Sequence, residues 1–488
     1  MSTPTPPAGT GRQPEADAAA PSLPRGRLVR AAPLVALAGR TAAEALVGRV
    51  SGRDAQWHHA RAAERYATVL GRHRGLLMKV GQILSFVPMA PTSQPGGPQD
   101  LYQNALARLQ DDAPPMSAQE AAAVLTAELG APPEDLFAEF DPQPLAAASI
   151  GQVHAARLAD GRRVAVKVQY PGVDEAIRAD LANAGLLSTF LQLIFGVAPN
   201  LGKADIRGMT AELTARISEE IDYRTEALNQ AAFADAYHGH PFIRVPRVVP
   251  ELSARRVLTM EYADGLRWAR ARHADPELRD RWGEAIYRFT FGSLRRMHRF
   301  NGDPHPGNFV FHPDGTVTFL DYGCVRRFTA DQVAFMQWSV QAAVDGDAQA
   351  LWAGFLDGSM MVRDGAPTPD ALLAWFRESL RPCTDPQPFM YTSEHAAAVI
   401  RRMFSPYGPH RTVVRKVSMQ PHYLLLMRID LGVTSVLGTL RARANWEAIR
   451  REYDCGDPPS TRFGEQDSAY RLGRDAGGAT PAAPAGTD

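Results

Sequence analysis

Residues 303–323 read DPHPGNFVFHPDGTVTFLDYG, and this stretch decides the fold. Two short apolar runs flank Asp314-Gly315, a dipeptide that supplies the positive-φ turn of a β-hairpin. With these two residues as the loop, Asn308 lies directly opposite Asp321, where Cβ atoms are roughly 4.5–5.5 Å apart. Amide and carboxylate oxygens are ligands that Mg²⁺ prefers, so the hairpin predicts a metal site at its open end.

A second spacing in the same stretch points to phosphoryl transfer. Asp303 and Asn308 have the Asp-x-x-x-x-Asn spacing of kinase catalytic loops, in which the Asp orients or deprotonates the acceptor and the Asn holds metal. For one such motif alone, a surface turn capped by Asp and Asn is the ordinary alternative. Because both motifs are joined by one in-register hairpin, the catalytic interpretation is favoured.

The scarcity of lysine singles out a strand upstream. Lys and Arg together number 53, but only four are lysines: Lys79, Lys167, Lys203 and Lys416. Lysine is therefore expected where a planar guanidinium will not serve, as at a tight phosphate site. In the strand 164–168 the valines share one face and Lys167 points the other way, like the phosphate-binding lysine of kinases. A solubilising edge lysine is the alternative. Such a catalytic lysine needs an anionic partner on a helix, and Glu226 is predicted to provide it.

Two further segments are predicted to bind the nucleotide. The first is an alanine-rich loop in the place of a kinase glycine-rich loop, where it would offer backbone N–H groups in a stiffer geometry. It comprises Ala146, Ala147, Ala148, Ser149, Ile150, Gly151 and Gln152. The second is Met260, expected to be a gatekeeper beside the adenine, with the hinge residues Glu261, Tyr262 and Ala263. An ordinary core methionine is the alternative for Met260, and an alanine run alone most often forms helix.

Composition bounds the class of protein. The 488 residues, 45% of them hydrophobic and 22% charged, are typical of a soluble chain with two or three sub-domains. A formal net charge of zero gives no reason to propose nucleic acid as a partner. Three widely separated cysteines fit a reducing cytoplasm. The sequence offers no apolar run of the roughly 18 residues that span a bilayer. His238 and His240 are expected at the surface.

The order of predicted elements gives an α+β fold with two lobes. A disordered tail is expected over residues 1–25, an N-terminal helical extension over 26–115 and a β-rich lobe over 116–262. A helical lobe over 263–456 and a second disordered tail over 457–488 follow. Ser117 with Glu120 has the spacing of a capping box and predicts a helix at the start of the β-rich lobe. Asp160-Gly161 predicts a hairpin after it.

Taken together, these motifs resemble the UbiB (AarF, ADCK) family of atypical kinase-like ATPases. The matched pieces follow the family's order over about residues 70–325. They are Lys79-Val-Gly-Gln82, the loop 146–152, Lys167, Glu220-Ile-Asp222 with Glu226, the loop 303–308 and Asp321-Tyr-Gly323. The resemblance implies a two-lobed protein-kinase-like fold that binds ATP with Mg²⁺.

The resemblance also implies roles that the residues alone do not predict. Lys79 and Gln82 would lie on a helix over the nucleotide cleft, facing Glu220 and Asp222 and blocking the usual protein-substrate groove. A part in isoprenoid quinone or related lipid metabolism is implied, with an isoprenoid or phenolic lipid as ligand and a peripheral contact with membranes. The basic, apolar stretch 25–53 is compatible with that contact, although a packed or solvated helix accounts for it better.

The sequence departs from the family's pattern in one place and lacks a conventional kinase motif in another. Asn301-Gly302 stands where the family usually has His-Ala, and activity is expected to be retained. No Ala-Pro-Glu follows Gly323, which counts against a conventional protein kinase. Two alternatives stay open: a small-molecule phosphotransferase, whose loops resemble residues 302–308, and a nucleotide-gated lipid-binding scaffold with negligible hydrolysis. The sequence names neither a phosphoryl acceptor nor a protein partner.

Overall fold

A computed structural model describes residues 116–148, 150–181, 221–361, 365–405, 408–417 and 421–476. The predicted tail over residues 1–25 and the helical extension over 26–115 lie outside the described residues. So do four predicted site residues: Lys79, Gln82, Ser149 and Glu220. The described chain forms a smaller, sheet-based lobe followed by a larger helical one, which confirms the predicted α+β, two-lobed architecture.

The strands are β1 Glu139–Ala148, β2 Gly151–Arg157, β3 Arg163–Gln169, β4 Ile243–Arg244, β5 Val257–Glu261, β6 Arg299–Asn301, β7 Phe309–Phe311, β8 Val317–Phe319, β9 Val325–Arg327, β10 Phe389–Met390 and β11 Arg443–Ala444. The helices are α1 Ala118–Leu129, α2 Pro133–Leu136, α3 Val173–Leu181, α4 Tyr223–Ala236, α5 Trp268–Ala271, α6 Pro276–Met297, α7 Ala330–Asp345, α8 Ala348–Asp357, α9 Pro369–Phe376, α10 Arg381–Thr384, α11 Ser393–Phe404, α12 Arg411–Val414, α13 Pro421–Leu440, α14 Trp446–Asp454 and α15 Arg462–Ala476.

The smaller lobe is an antiparallel sheet of order β1-β2-β3-β5 with α1 packed on it. β2 and β3 form the predicted hairpin, and Gly161 at its tip has the positive φ of 86° that the turn requires. Val164, Val166 and Val168 alternate from β3 into the core and are fully buried. The predicted capping box begins α1, since the amide of Glu120 donates to Ser117 Oγ at 3.2 Å.

The larger lobe is organised around the long helix α6. Its aromatic side chains build a core with the small sheet β4-β8-β7; the Phe289 and Phe319 rings stack with centroids 3.7 Å apart. Helix α13 supports the predicted catalytic loop from behind, because a Cβ at Gly432 would lie 2.5 Å from Pro304 Cγ. The absence of a side chain at Gly432 thus allows this close approach.

The β7–β8 hairpin differs in register from the prediction. Phe309 pairs with Phe319 and Phe311 with Val317, so Asn308 lies opposite Leu320 rather than opposite Asp321. The loop has three residues, Pro313 to Gly315. A two-residue loop would require the amide of Pro313 to donate to Thr316, and proline has no N–H. Instead the amide of His312 donates to Thr316 O at 3.0 Å, and Gly315 takes the positive φ of 91°.

The prediction of a disordered tail from residue 457 is wrong for the residues up to 476. Helix α15 packs on the larger lobe, where Asp467 is 1% exposed and accepts from Arg296 Nη1 at 3.0 Å. His240, expected at the surface, is buried beside it, with Nε2 3.2 Å from Asp467 Oδ1. Helix α15 is held to the lobe by the buried carboxylate of Asp467 rather than by an apolar face, so a hydrophobicity pattern does not predict the helix.

Across the described ranges, the apolar part of every helix falls short of what crossing a bilayer requires.

Candidate active site between the lobes

The centre of the site is an ion pair between β3 and α4. Lys167 Nζ donates to both carboxylate oxygens of Glu226, at 2.8 and 3.0 Å. Both side chains are buried, with 10% and 5% of their surface exposed. The strand alternation that buries the neighbouring valines turns Lys167 to the opposite face, and the first turn of α4 presents Glu226 there. The structure therefore brings together the two residues that the sequence predicts as partners.

Asp321 joins this pair from the larger lobe. Its Oδ2 lies 3.3 Å from Lys167 Nζ, and its side chain keeps 34% of its surface exposed. Burial alone would lower the pKa of Lys167, but the charges of Asp321 and Glu226 outweigh it and hold that pKa well above its ordinary value. Lys167 is thus a permanent cation, and a carboxylate open to the cleft stands beside it.

The backbone at Asp321 adopts a conformation that non-glycine residues seldom take. Its φ is 61°, in the left-handed region, and its own Oδ1 accepts from the amide of Gly323 at 3.0 Å. The carbonyl of Asp321 accepts from Asn301 Nδ2 at 3.0 Å. A Cβ at Gly323 would lie 3.3 Å from Asp321 Oδ1 and 3.5 Å from Glu226 Oε2, so glycine gives both carboxylates room. These contacts hold Asp321 toward Lys167.

Asp303 and Asn308 face each other across the predicted catalytic loop. Asn308 Nδ2 donates to the Asp303 carbonyl at 3.2 Å and to Asp303 Oδ2 at 3.1 Å. This orientation directs the two donors of the amide to Asp303 and leaves Oδ1 as an acceptor for a cation. The carbonyl of Asn308 accepts from the amide of Leu320 at 2.8 Å, which attaches the loop to the residue before Asp321.

The predicted hinge follows β5 at the junction of the lobes. Met260 is 7% exposed, packs in the core of the smaller lobe and pairs with Ala165. The amides of Glu261 and Tyr262 donate to Arg247 O at 2.9 Å and Arg163 O at 3.0 Å. Both are thus occupied, whereas the Ala263 amide has no acceptor among the residues that the structure describes. Of the predicted hinge donors, only the Ala263 N–H stays open to a base.

The predicted alanine-rich loop is mostly strand. Ala146, Ala147 and Ala148 belong to β1 and pair with Val153, Gln152 and Gly151 of β2. Gly151 is required there because a Cβ would lie 2.2 Å from Val168 O. Ile150 is 4% exposed and belongs to the core of the lobe.

Gln152 does not reach the cleft through its side chain, which corrects its prediction as a nucleotide contact. It is fully buried, accepts from the amide of Met116 at 3.0 Å and lies 2.9 Å from His154 Nε2. A buried amide satisfies its donors and acceptors where it can, and here it does so by fastening the chain that enters α1.

Among the predicted regulatory residues, only Asp222 lies within the described chain. It is the N-cap of α4, accepts from the amide of Arg224 at 3.0 Å and forms an ion pair with the Arg224 side chain. Hydrogen bonds from Arg224 lower the pKa of Asp222. Its contacts here orient the helix that carries Glu226; a contact with Lys79 or Gln82 stays a prediction.

Three contacting residues were missed by reasoning from the sequence. Asn301 accepts from the Asp303 amide at 3.3 Å while donating to Asp321, so it ties both predicted functional segments together. Asn229 Nδ2 donates to Tyr322 O at 3.3 Å, and the Tyr223 ring lies 5.0 Å from Lys167 Nζ. The spacing of Asn229 and Tyr223 from Glu226, three residues on either side, places all three on one face of α4 and could have indicated them.

The residues present fit a magnesium ion with phosphate. Asp321 offers a partly exposed carboxylate and Asn308 an amide oxygen, which are hard ligands for a cation that keeps several positions for water and phosphate. Within the described ranges, no group of three or more His, Cys, Asp or Glu side chains converges on a metal position. A divalent ion would therefore depend on the nucleotide for the rest of its coordination.

Comparison with known proteins places this geometry in a family. Residues 108–353 match the ABC1 atypical kinase-like domain. The chain is 35% identical over 287 residues to the mitochondrial atypical kinase COQ8B of Rattus norvegicus, covering 58% of this chain and 52% of that protein. It is 33% identical over 270 residues to the mitochondrial atypical kinase COQ8 of Saccharomyces cerevisiae, covering 55% and 51%. The matches to curated relatives thus span about half the length of those proteins or less.

A solved structure agrees with this placement. The complex of Rv3197 with erythromycin, from Mycobacterium tuberculosis, superposes with a TM-score of 0.58 at 33% identity, covering 80% of this chain and 95% of that one. The predicted kinase-like fold is confirmed by these matches. The chain belongs to the ABC1 atypical kinase-like family, which includes proteins named AarF domain-containing kinases and COQ8.

Proposed function

We propose that this chain binds ATP with Mg²⁺ in the cleft between its lobes and carries out phosphoryl transfer or ATP hydrolysis. The observation that supports this most directly is the buried ion pair of Lys167 and Glu226, with Asp321 beside it at the edge of the cleft. The ammonium of Lys167 contacts a carboxylate from α4 and a carboxylate from the segment after β8. The Asp321 carboxylate keeps 34% of its surface exposed at the cleft, so it can serve as an oxygen ligand of a divalent cation.

Each residue has a role that follows from its contacts. Glu226 fixes the ammonium of Lys167, which would bind the α- and β-phosphates. Asp321 and Asn308 would hold Mg²⁺, which neutralises charge on the phosphates when bound. Asp303, with its carboxylate beside the amide of Asn308, would orient the attacking water or hydroxyl. The Ala263 amide would bind the base. Catalysis would then consist mainly of positioning and charge neutralisation.

The substrate class is proposed from the relatives. Two of them are named as COQ8 kinases of mitochondria, and the resemblance implies a role in isoprenoid quinone or related lipid metabolism. No Ala-Pro-Glu motif follows Gly323, so a conventional peptide-docking segment is not expected. We therefore propose a lipid or phenolic ligand and a peripheral contact with a membrane surface rather than a protein substrate.

Turnover of MgATP by the purified chain tests this proposal. The assay compares wild type with Asp321→Asn and Lys79→Ala, each with neutral and with anionic liposomes. Wild type is expected to hydrolyse ATP or transfer its phosphate in a magnesium-dependent way, with anionic liposomes raising the rate. Asp321→Asn should lose that activity, and near-normal rates in this variant would contradict the metal assignment.

A small-molecule phosphotransferase is a second candidate, and one observation favours it. The related Rv3197 is described in complex with erythromycin, a bulky hydroxyl-bearing compound. Incubating the chain with MgATP and erythromycin, followed by mass spectrometry, would detect a phosphorylated product. Formation of that product would favour this candidate, whereas ATP hydrolysis without it would favour the first.

A further inference from the structure

The ribbon formed by β6 and β9 places two arginines directly opposite each other. Arg299 on β6 pairs with Arg327 on β9, immediately before the predicted catalytic loop and shortly after Asp321. The ladder bonds run between neighbouring positions: Phe328 N to His298 O at 2.8 Å and Gly302 N to Cys324 O at 2.6 Å. Arg299 and Arg327 thus occupy a non-hydrogen-bonded position, where Cα atoms approach to about 4.5 Å and side chains are closest.

These two guanidinium groups have no acidic partner in the part of the chain that the structure describes. Neither forms a hydrogen bond or ion pair with any residue in the described ranges. Two arginines in the last turn of α6 do have acidic partners: Arg295 pairs with Asp454, and Arg296 pairs with Asp467. Burial, and then the charge of Arg327, lower the pKa of Arg299. Like charges directly opposed on paired strands are destabilising, so the pair is costly for folding.

The pair lies on the same face of the ribbon as the candidate active site. Side chains alternate along a strand, so Arg299 shares its face with Asn301, while Phe300 between them is fully buried on the other face. Asn301 contacts Asp303 and Asp321. Two residues of a strand span about 6.6 Å. The backbone of Arg299 therefore lies about one arginine side-chain length from Asn301, which contacts both predicted catalytic segments.

We propose that Arg299 and Arg327 form an anion subsite that binds a phosphate group of the ligand on which the active site acts. Two directly opposed arginines can both direct their guanidinium groups to the oxygens of one phosphate, and they are always charged. A bound phosphate dianion would attract both guanidinium groups and so offset the repulsion between them. The phosphate could belong to a lipid headgroup or to a soluble phosphomonoester. The assignment of this phosphate to the ligand of the active site rests on the proposed function, whereas the anion subsite itself does not.

Binding of sn-glycerol 3-phosphate to the full-length chain tests the subsite, with isothermal titration calorimetry as the readout. The variants are Arg299→Gln, Arg327→Gln and both together, which remove charge at nearly constant size. Each single variant loses charge-assisted hydrogen bonds to the phosphate, so it should bind glycerol phosphate about tenfold more weakly than wild type. The double variant should show no measurable binding. A second arm measures sedimentation with phosphatidylcholine vesicles that do or do not contain phosphatidic acid.

The control is Arg411→Gln, which removes the same charge at an exposed arginine on α12. It should bind glycerol phosphate as wild type does. Thermal unfolding without ligand separates binding from folding, since removing either opposed arginine should leave the midpoint equal to or above that of wild type.

Loss of affinity in both arms identifies a lipid headgroup, and loss in the soluble arm alone identifies a soluble phosphate. Absent wild-type binding in both arms, or variants within twofold of wild type, would overturn the subsite. Nucleotide binding is measured separately on wild type, and its absence would contradict the proposed function without altering the phosphate result.

Discussion

Asn301 donates from its side-chain nitrogen to the main-chain carbonyl of Asp321 at 3.0 Å. The same side chain accepts from the amide of Asp303 at 3.3 Å. One amide therefore fixes the relative positions of the loop predicted to orient the nucleophile and the segment predicted to hold metal. Because Asp321 has a left-handed φ, its backbone depends on such contacts to stay in place.

Asn301→Ala should lower kcat for MgATP turnover by roughly 10- to 100-fold, because small displacements of catalytic groups have large effects on rate. The KM for ATP should change little, since Lys167 and the hinge are untouched. Steady-state kinetics on the wild type and the variant measure both constants. An unchanged kcat would mean that Asn301 only fills space.

Gly302→Ala should destabilise the chain, because a Cβ at Gly302 would lie 2.5 Å from the Cys324 carbonyl oxygen. Overpacking of this kind costs about 1–3 kcal/mol. Denaturant unfolding provides the free energy. Since the obstacle is main chain, Cys324→Ala in the same chain should recover little of the loss; full recovery would show that the Cys324 side chain is the true obstacle.

Lys167→Arg should abolish turnover although the charge is kept. The ammonium is held between Glu226 and Asp321 in a buried space, and a longer planar guanidinium cannot occupy the same position. Lys416→Arg is the matched control, since Lys416 is exposed, and it should behave as wild type. Turnover by Lys167→Arg at more than about a tenth of the wild-type rate would contradict the assigned geometry.

Asp467→Asn should lower stability near neutral pH. Burial alone would raise the pKa of Asp467, but hydrogen bonds from His240 and Arg296 hold it well below its ordinary value. Breaking a buried pair costs about 3 kcal/mol or more. Because the folded-state pKa is depressed, the contribution is full above about pH 4 and is lost as the pH falls toward the folded-state value.

Urea unfolding of Asp467→Asn and wild type at a series of pH values measures this dependence. The difference between them should shrink below about pH 4. Glu139→Gln is the control, because its pairing with Arg157 is exposed and worth about 1 kcal/mol at most. A difference that stays constant with pH would show that the Asp467 charge is unimportant.

The sequence was informative where one residue type has one physical role. Alternation of valines fixed the direction of Lys167, and the Asp160-Gly161 turn fixed the β2–β3 hairpin. The Asp314-Gly315 turn signal predicts the wrong β7–β8 register, because a two-residue loop would need an N–H that Pro313 lacks. Helix α15 has no apolar pattern that predicts it, because the buried Asp467 anchors it. Gln152 lies away from the cleft because its side-chain amide bonds to the chain that enters α1.

The magnesium dependence of nucleotide binding tests most directly whether Asp321 holds a metal ion in the cleft. Calorimetry with a non-hydrolysable ATP analogue compares wild type and Asp321→Asn, each with Mg²⁺ and with EDTA. Wild type is expected to bind at least about tenfold more tightly with Mg²⁺, and Asp321→Asn is expected to bind equally in both conditions. Wild-type affinity that is indifferent to Mg²⁺, or a variant that keeps the full magnesium effect, would contradict that role of Asp321.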